Sequence, residues 1–436
     1  MRPIGIDLFS GAGGLSLGFE QAGFDVLAAV EIDPVHAAAH KFNFPECAVI
    51  PTSVVGLSGR EIREKSAIGQ RQIAVVFGGA PCQGFSLIGH RALDDPRNSL
   101  VKEFVRIVGE LRPLYFVFEN VKGLTVGRQR LFLEEIIAAF RALDYRVRMP
   151  WQVLNASRYG VPQDRERVII VGALRGYSLP SYPNPTTRPA GSLESLLPEG
   201  PSVYDALADL PDAETFAELA AGDTATPKKW GHPSAYAAEL RCLTNEAWHF
   251  GYARAWSPEL LTASKRTEHT PISRRRFAET PHGETEPISR FYKLSPQGVS
   301  NTLRAGTDSA RGAFTSPRPI HYGHPRCITV REMARLHGFP DWFRFHETKW
   351  HGARQIGNAV PPPLGRVVAQ EIIAALGVEP TRPDRTMSLG DERLLGLGMA
   401  GAAAHWAVPV PIAKRDRKSG ARKRSQSETE AARLSA

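Results

Sequence analysis

Residues 4–14 read Ile4-Gly5-Ile6-Asp7-Leu8-Phe9-Ser10-Gly11-Ala12-Gly13-Gly14, an apolar run that passes into a glycine-rich turn. The run predicts a strand over Ile4–Phe9, and the apolar spacing after the turn predicts a helix near Leu15–Ala22. Glycines let the backbone approach a ligand and present N–H groups at a helix start. Many nucleotide cofactors bind at such turns, and a plain tight turn is the alternative. No third glycine completes the dinucleotide pattern, which argues against NAD.

Strand and helix signals alternate from this stretch to about residue 172. Further strands are predicted over Val26–Glu31, Ile73–Phe77, Tyr115–Phe118, Tyr145–Leu154 and Val168–Val171. Helices are predicted over Pro34–Lys41, Leu100–Leu111 and Leu131–Leu143. This alternation is typical of βαβ units. We therefore predict an α/β fold with a doubly wound, mostly parallel sheet.

A thiol and a carboxyl group follow two of these predicted strands. Cys82 lies in a Pro-Cys-Gln-Gly-Phe-Ser turn after Ile73–Phe77, and Glu119 begins Glu-Asn-Val after Tyr115–Phe118. Open α/β proteins build their sites where the ends of parallel strands meet. The pattern therefore predicts a nucleophile and an acid at one edge of the sheet, as in a covalent catalyst. Glu31, at the end of the second strand, can accept both hydroxyl groups of a ribose.

Composition narrows the class of protein. The net charge is +9 and the pI is near 9.5, which favours a polyanionic partner such as nucleic acid. The chain runs straight into its first strand, so we expect no signal peptide and no membrane span, and read Leu394–Ala413 as small packed helices. We expect a reducing cytoplasm and no metal site, because no CxxC pair occurs among the four cysteines, Cys47, Cys82, Cys242 and Cys327.

After residue 174 the alternation stops. Several prolines mark a linker, and residues 176–327 mix short strand signals with loops and basic side chains. A helix is predicted over Ile328–Leu336, where Thr329 and Glu332 form a capping box, and another over Pro363–Leu376. The last stretch is rich in lysine and arginine, and we expect it to be partly disordered.

Six blocks in this order resemble the DNA (cytosine-5)-methyltransferases of the bacterial restriction-modification type. They cover residues 4 to about 376 except for the variable middle. The blocks are Asp7-Leu8-Phe9-Ser10-Gly11-Ala12-Gly13-Gly14, Gly79-Ala80-Pro81-Cys82-Gln83-Gly84-Phe85-Ser86, Glu119-Asn120-Val121, Gln163-Asp164-Arg165-Glu166-Arg167, Arg331-Glu332-Met333-Ala334-Arg335-Leu336-His337-Gly338-Phe339-Pro340 and Gln355-Ile356-Gly357-Asn358-Ala359-Val360-Pro361.

The resemblance implies a Rossmann-like class I methyltransferase fold with a smaller, loop-rich target recognition domain. Residues 1–175 would form the catalytic and cofactor-binding domain, and 176–345 the recognition domain, including the block at 331–340. Residues 346–377 would return to the catalytic domain. Residues 378–436 would be a variable basic tail outside the shared core.

The resemblance also implies methyl transfer from S-adenosylmethionine to C5 of a cytosine that has left the duplex. The Cys82 thiolate would add to C6 and make C5 nucleophilic. Glu119 would hold the N3 and N4 edge and protonate N3. Of Arg165 and Arg167, one would contact the O2 edge and the other would orient the carboxylate or the loop.

The remaining site residues also follow from the resemblance. Base or phosphate contacts are expected from Gln83, Ser86, Arg97 and Arg304. We expect the cofactor to be bound by Phe9, Gly11, Gly13, Gly14, Leu15, Glu31, Ile32, Ser53, Val54, Pro81, Leu100, Asn358 and Val360.

Two positions depart from the pattern of the family. Ser53 stands where an aspartate usually meets the adenine amino group, and a serine carries no charge. Lower cofactor affinity or a substitute group is therefore expected. Ala80 stands where a second proline is common, and this should matter less because Pro81 and Cys82 remain.

Three functions remain open at this point. The leading one is modification of double-stranded DNA by a monomer, with a cognate restriction endonuclease that acts separately, or as a solitary enzyme. The second is methylation of cytosine in transfer RNA by the same core. The third is a DNA-binding pseudoenzyme that has lost cofactor affinity through Ser53, against which the intact Cys82, Glu119, Arg165 and Asn358 argue.

Overall fold

The computed structural model describes residues 2–81, 98–127, 129–306 and 318–410. Four of the predicted site residues, Cys82, Gln83, Ser86 and Arg97, lie outside the described residues. The strands are β1 Ile4–Leu8, β2 Asp25–Val30, β3 Ala48–Ile50, β4 Val75–Gly78, β5 Tyr115–Val121, β6 Tyr145–Val147, β7 Gln152–Asn155, β8 Glu166–Leu174, β9 Ala253–Ala255 and β10 Thr386–Ser388.

The first eight strands form one sheet in the order β3-β2-β1-β4-β5-β8-β6, and β7 also pairs with β8. All pairs from β3 to β5 are parallel, whereas β8 runs antiparallel to β5, β6 and β7. The chain reverses its direction across the sheet between β1 and β4, where α/β proteins bind ligands. The predicted α/β class with a doubly wound, mostly parallel sheet is confirmed.

The register brings the polar segments to one edge. Leu8 pairs with Gly78, and Gly78 pairs with Phe118. Phe9 and Gly79 therefore leave the sheet at the level of Glu119, which is still paired with Ile169 of β8. The glycine loop, the segment up to Pro81 and Glu119 thus lie at one edge of the sheet, whereas the placement of Cys82 beside Glu119 stays a prediction, because Cys82 lies outside the described residues.

Three strand predictions differ from the structure. The strand predicted over Ile73–Phe77 begins at Val75, a shift within the usual scatter of boundaries. The strand predicted over Tyr145–Leu154 is two strands, separated by a segment that contains Pro150, which has no N–H to donate. The short strand β3 was not predicted, because three apolar residues give too little pattern.

The four helices predicted in the first part of the chain are present with shifted ends, whereas the helix Gly59–Glu64 was not predicted. Asp33 caps the helix that begins at Pro34, since its Oδ1 accepts hydrogen bonds from the N–H groups of Val35 and His36. The predicted capping box of Thr329 and Glu332 is present. The helices are α1 Gly14–Ala22, α2 Pro34–Asn43, α3 Gly59–Glu64, α4 Ser99–Leu111, α5 Gln129–Ala142, α6 Val203–Leu207, α7 Ala235–Leu240, α8 Pro271–Glu279, α9 Val330–Leu336, α10 Lys349–Asn358, α11 Pro362–Leu376 and α12 Met399–His405.

The packing of α11 against α1 joins distant parts of the chain. A Cβ on Gly18 would lie 2.7 Å from both the nitrogen of Arg366 and the carbonyl oxygen of Pro362. A Cβ on Gly14 would lie 2.5 Å from the carbonyl oxygen of Val360. Glycine at both positions therefore permits a backbone contact that no larger residue allows. This contact places the segment 358–361 beside the glycine loop.

The middle of the chain shares its hydrophobic core with the sheet layer. One buried cluster combines Leu17 and Ala29 with α6, α9 and the aromatic residues between α9 and α10. Within it, the fully buried Arg335 donates to Asp341 at 2.6 Å and to Asp209 at 3.1 Å. Such a charge needs both partners, because an unpaired buried charge is costly. The domain boundaries drawn from the sequence stay a prediction.

The chain past α11 is ordered into short elements up to residue 410. It forms β10, a 3₁₀ helix over Glu392–Gly396 and α12. The prediction of small packed helices after Leu394 is confirmed for the described part of this region. None of the helices in the described ranges is long and apolar enough to cross a membrane.

Candidate active site

A cavity of about 860 Å³ opens at the carboxyl edge of the sheet. Its wall combines the glycine loop after β1, Glu31 after β2, Gly79–Pro81 after β4 and Glu119 at the end of β5. Segments from the far part of the sequence, 302–306 and 357–360, complete it. The cavity lies at the topological switch point, where a cofactor and a substrate would meet.

The predicted cofactor residues converge on this cavity. Of those in the described ranges, Gly13 alone is not part of the wall. Gly13 instead allows close packing beneath the loop, because a Cβ there would lie 2.5 Å from the ring of Phe44. The wall contains Phe9, Gly11, Gly14, Leu15, Glu31, Ile32, Ser53, Val54, Pro81, Leu100, Asn358 and Val360.

Glu31 fixes the glycine loop to the second strand. Its Oε2 accepts a hydrogen bond from the N–H of Gly11 at 2.8 Å, and its Oε1 accepts one from Asp33 at 2.8 Å. Burial raises the pKa of this carboxyl group. Each carboxylate oxygen keeps a lone pair, so Glu31 can still accept from two hydroxyl groups of a ligand.

A buried polar chain lies under the glycine loop. Ser16 Oγ donates to Asp7 Oδ2 at 2.6 Å, and His40 Nε2 lies 3.0 Å from the same hydroxyl oxygen. Burial raises the pKa of Asp7 to about 8 and lowers the pKa of His40 to about 3, so the imidazole is neutral. Asp7 belongs to the first sequence block, but its place in the wall of the cavity was not predicted. An acidic residue near the end of the first strand could have indicated it.

Several buried polar atoms of the wall form no hydrogen bond within the part of the chain that the structure describes. These atoms are Asp7 Oδ1, Ser10 Oγ and His36 Nε2, and all three residues line the cavity. Native proteins rarely leave such groups unpaired. Apolar side chains, among them Ile32 and Leu100, line the same space. A ligand with a ribose, a flat base and a charged amino-acid part, such as S-adenosylmethionine, fits this set of groups.

The hydroxyl group of Ser53 lies in the wall of the cavity and uses only part of its hydrogen-bonding capacity within the protein. Its Oγ accepts a hydrogen bond from the N–H of Val55 at 3.0 Å. The hydroxyl hydrogen and one lone pair remain for a ligand. Ser53 can therefore still hydrogen-bond where an aspartate would bring a negative charge.

Glu119 is a buried carboxyl group paired with one arginine. Arg167 Nε lies 2.7 Å from Glu119 Oε1, and the glutamate side chain is 11% exposed. Burial nevertheless raises the pKa of Glu119, although Arg167 and Arg165 oppose the shift. A Cβ on Gly79 would lie 2.3 Å from Oε2, so a larger residue there would displace the carboxyl group from its present position. Glu119 is thus poised to carry a proton at the edge of the cavity.

Asn120 fixes the chain that leads to Cys82. Its Nδ2 donates to the carbonyl oxygen of Ala80 at 2.8 Å. This bond joins β5 to the segment after β4 directly before Pro81. The role of Asn120 was not predicted, although it stands in the Glu-Asn-Val block.

The two arginines of β8 and its approach have different surroundings. Arg165 is almost fully buried and donates to the carbonyl oxygens of Leu303 at 2.9 Å, Gly357 at 2.8 Å and Ala359 at 2.7 Å. Arg167 contacts the carboxylate. The geometry therefore matches the carboxylate-orienting role to Arg167, and Arg165 joins two distant backbone segments of the wall.

A second network strengthens this junction. Gln163 Oε1 accepts from the N–H of Leu303 at 3.1 Å, and Gln163 Nε2 lies 2.9 Å from His337 Nδ1. His337 Nε2 lies 3.0 Å from the carbonyl oxygen of Ala359. Burial lowers the pKa of His337 well below its usual value, so the ring is neutral with Nε2 as the donor. Neither residue was predicted as part of the site.

Arg304 lies at the entrance of the same cavity. Its side chain is exposed, and its backbone packs tightly on α10, since a Cβ on Gly357 would lie 2.5 Å from its carbonyl carbon. The described cysteines lie elsewhere, because Cys47, Cys242 and Cys327 are not part of the wall. No group of three or more His, Cys, Asp or Glu suited to a metal ion occurs in the described ranges.

Comparison with protein families agrees with the arrangement of the site. A family model described as C-5 cytosine-specific DNA methylase matches residues 4–374. Type II methyltransferase M.XorII of Xanthomonas oryzae pv. oryzae is 58% identical over 417 residues, which are 95% of each chain. Type II methyltransferase M1.HphI of Haemophilus parahaemolyticus is 34% identical over 375 residues, 84% of this chain and 86% of that protein.

The fold of the chain is also similar to those of solved methyltransferase structures. A structure described as a candidate DNA modification methyltransferase from an Escherichia coli prophage superposes with a TM-score of 0.69 at 33% identity, covering 86% of this chain and 100% of that chain. The Dnmt2 methyltransferase of S. pombe superposes with a TM-score of 0.52 at 15% identity, covering 87% of this chain and 100% of that chain. The latter likeness concerns the fold alone.

Proposed function

The chain belongs to the C-5 cytosine-specific DNA methylases, and from this premise we propose that it methylates C5 of cytosine at a specific sequence in double-stranded DNA. One observation carries the proposal. A buried carboxyl group with a raised pKa, Glu119, shares a cavity with the glycine loop and Glu31, and the wall continues to Pro81, next to Cys82.

We propose that Cys82 is the nucleophile. Its thiolate adds to C6 of a cytosine that has left the duplex, and the electron pair of the C5–C6 bond shifts toward N3. Glu119 donates its proton to N3, so that no full negative charge develops on the ring. The raised pKa of Glu119 supports this role, because a carboxyl group must still hold its proton in order to donate it.

The cofactor in this proposal is S-adenosylmethionine, which supplies an electrophilic methyl group to C5 when bound. Glu31 would hold the ribose hydroxyl groups, and the N–H groups of the first turn of α1, which have no partner within the helix, would face the carboxylate of the amino-acid part. Water then takes the C5 proton, the Cys82 thiolate is eliminated from C6, and Glu119 takes back the N3 proton, so that neutral 5-methylcytosine and the starting enzyme are restored.

The partners follow the same proposal. Duplex DNA is the substrate, with Arg304, Gln83, Ser86 and Arg97 as contacts. The relatives named type II methyltransferases favour a role in restriction and modification, with a separate endonuclease. We propose that the protein works as a monomer in the cytoplasm.

The test uses purified full-length protein, tritiated S-adenosylmethionine and unmethylated genomic DNA. The Cys82→Ala variant accompanies it, with Cys242→Ala as the matched control because Cys242 is not part of the cavity wall. We expect label in 5-methylcytosine within one short sequence, mapped by bisulfite sequencing. The label should be lost in Cys82→Ala and kept in Cys242→Ala.

Two other results would contradict the proposal. Label in RNA alone would assign the protein to transfer RNA methylation. DNA binding without transfer in the unaltered protein would identify a binding protein that has lost its activity.

A further inference from the structure

The described chain continues beyond the residues that the family model matches. That match ends at residue 374, and the chain is described to residue 410. We call residues 385–406 the C-terminal brace. At its start Arg385 Nη1 lies 2.7 Å from Glu46 Oε1, and β10 pairs in parallel with β9. The brace is therefore attached to two separate parts of the molecule before it reaches α2.

The brace runs along the full length of α2. The N–H of Gly390 donates to the carbonyl oxygen of Phe42 at 2.8 Å, near the last turn of the helix. Trp406 Nε1 donates to the carbonyl oxygen of Pro34 at 3.2 Å, at the first turn. Close approach is possible because a Cβ on Gly390 would lie only 2.8 Å from Phe42 Cα. Both ends of α2 are thus held by the same segment.

The brace also packs against the glycine loop through a shared hydrophobic cluster. Leu394 and Leu395 are 7% and 4% exposed and belong to one hydrophobic cluster with Ala38, Phe42 and Ala12. Ala39 is the remaining buried member of this cluster. Ala12 lies between the two loop glycines that have left-handed backbone conformations. The apolar backing of the loop is therefore supplied in part by residues outside the matched family region.

Two further bonds join the brace to the segment that leads into α10, a helix whose Arg354, Gly357 and Asn358 line the cavity. The N–H of Glu347 donates to the carbonyl oxygen of Leu395 at 3.1 Å, and His346 Nε2 lies 3.3 Å from that of Leu397. These residues directly precede α10, which carries Asn358 at its end. The brace therefore contacts both segments between which the ligand would lie.

We propose that the C-terminal brace positions the glycine loop and the start of α2 for cofactor binding, which makes Leu395 and Trp406 positioning residues. The two groups that Glu31 holds, the N–H of Gly11 and the N–H of Asp33, belong to the loop and to the start of α2. Loss of the backing would let these two segments move apart. The identity of the ligand in this inference rests on the proposed function.

The experiment compares full-length variants Leu395→Ala and Trp406→Phe with Leu219→Ala. Leu219 is fully buried in a separate cluster with Ala213, Ala225 and Leu261, so its truncation lowers stability without touching the brace. The first readout is hydrogen exchange in residues 10–14 and 33–37 of the ligand-free protein. The second is the dissociation constant of S-adenosylhomocysteine by calorimetry.

We expect Leu395→Ala to speed exchange in both segments and to raise the dissociation constant between about 3-fold and 30-fold. Leu219→Ala should leave both unchanged at a similar loss of melting temperature. Leu395→Met, which nearly conserves volume, should restore them. Trp406→Phe removes the indole donor and part of the ring volume while it keeps an aromatic side chain, and it decides the question by the same readouts if Leu395→Ala does not fold.

The proposal is overturned if exchange and affinity in Leu395→Ala equal those of the unaltered protein, or if Leu219→Ala changes them equally. Failure of the unaltered protein to bind S-adenosylhomocysteine would instead contradict the assigned cofactor. In that case the exchange of residues 10–14 and 33–37 alone decides whether the brace positions the loop.

Discussion

In the proposed mechanism Glu119 is the proton donor to the cytosine ring. Glutamine keeps its shape and can still accept from Arg167, but it has no proton to give to the ring. We expect Glu119→Gln to lower the rate of methyl transfer by about 10²- to 10⁴-fold. The dissociation constant of S-adenosylhomocysteine should stay unchanged, since the ribose and loop contacts lie elsewhere. Single-turnover transfer and calorimetry measure the two quantities.

The control for this change is Glu134→Gln, on the exposed face of α5. It should transfer methyl groups at the rate of the unaltered protein. A parallel loss of cofactor affinity in Glu119→Gln would show that the carboxyl group mainly supports the wall of the cavity.

Asp7 makes the stability of the ligand-free protein depend on pH. Burial raises its pKa from 3.8 to about 8, so the folded chain holds this proton more tightly than the unfolded chain does. The resulting stabilisation is complete below pH 3.8 and is lost as the pH rises through about 8. Within that window the slope is at most about 1.4 kcal/mol per pH unit.

Replacement of Asp7 by Asn removes this titration while it keeps an oxygen to accept from Ser16. We expect the free energy of unfolding of Asp7→Asn, measured in urea between pH 5 and 8.5, to fall less steeply with pH than that of the unaltered protein. Parallel curves for the two proteins would mean that the Asp7 carboxyl group is already ionised at pH 5.

The contact between α1 and α11 makes a prediction at the scale of elements. A methyl group on Gly18 would meet backbone atoms of α11 at 2.7 Å, and backbone cannot move aside as a side chain can. We expect Gly18→Ala to lower the free energy of unfolding by about 1–3 kcal/mol. In Gly401→Ala, on α12, the nearest atom would be 3.5 Å away, and alanine should stabilise that helix slightly. Thermal unfolding distinguishes the two, and equal melting temperatures would contradict the close approach.

The elements also show how far the sequence alone can lead. The strands at Ile4–Leu8 and Tyr115–Val121 were predictable because long apolar runs end in polar or glycine-rich residues. The three-residue strand β3 was not, because its pairing with β2 creates it. The roles of Arg165 and Arg167 could not be separated either, since both have the same spacing and only the fold shows which one meets Glu119.

The charge of the whole molecule gives a prediction for DNA binding. A protein that neutralises phosphates releases counterions, so its affinity falls as salt rises. We expect Arg304→Ala to weaken binding at low salt and to reduce the slope of log K against log salt by about 1. Arg60→Ala, an exposed residue of α3 that pairs with Glu64, should change neither. Fluorescence anisotropy with duplex DNA measures both, and an unchanged slope in Arg304→Ala would place that side chain away from phosphates.

Contacts between residues that are far apart in the sequence were the least predictable part of the site. Arg165 bonds to residues 138, 192 and 194 positions away, and no local pattern marks such partners. The segment past residue 378 was expected to be a variable tail, yet its described part packs on α2 and the glycine loop. Burial against distant elements orders it, and such burial is visible only in the folded molecule.

The packing of α11 on α1 has a consequence for biosynthesis. A ribosome that adds 5–20 residues per second needs about 20 to 75 s to reach the end of α11 at Leu376. Until then Gly14 and Gly18 of α1 lack the segment on which they pack, although α1 is among the first elements to be synthesised. A nascent or prematurely terminated chain therefore cannot complete the pocket, and modification activity in a cell should appear only with full-length translation products.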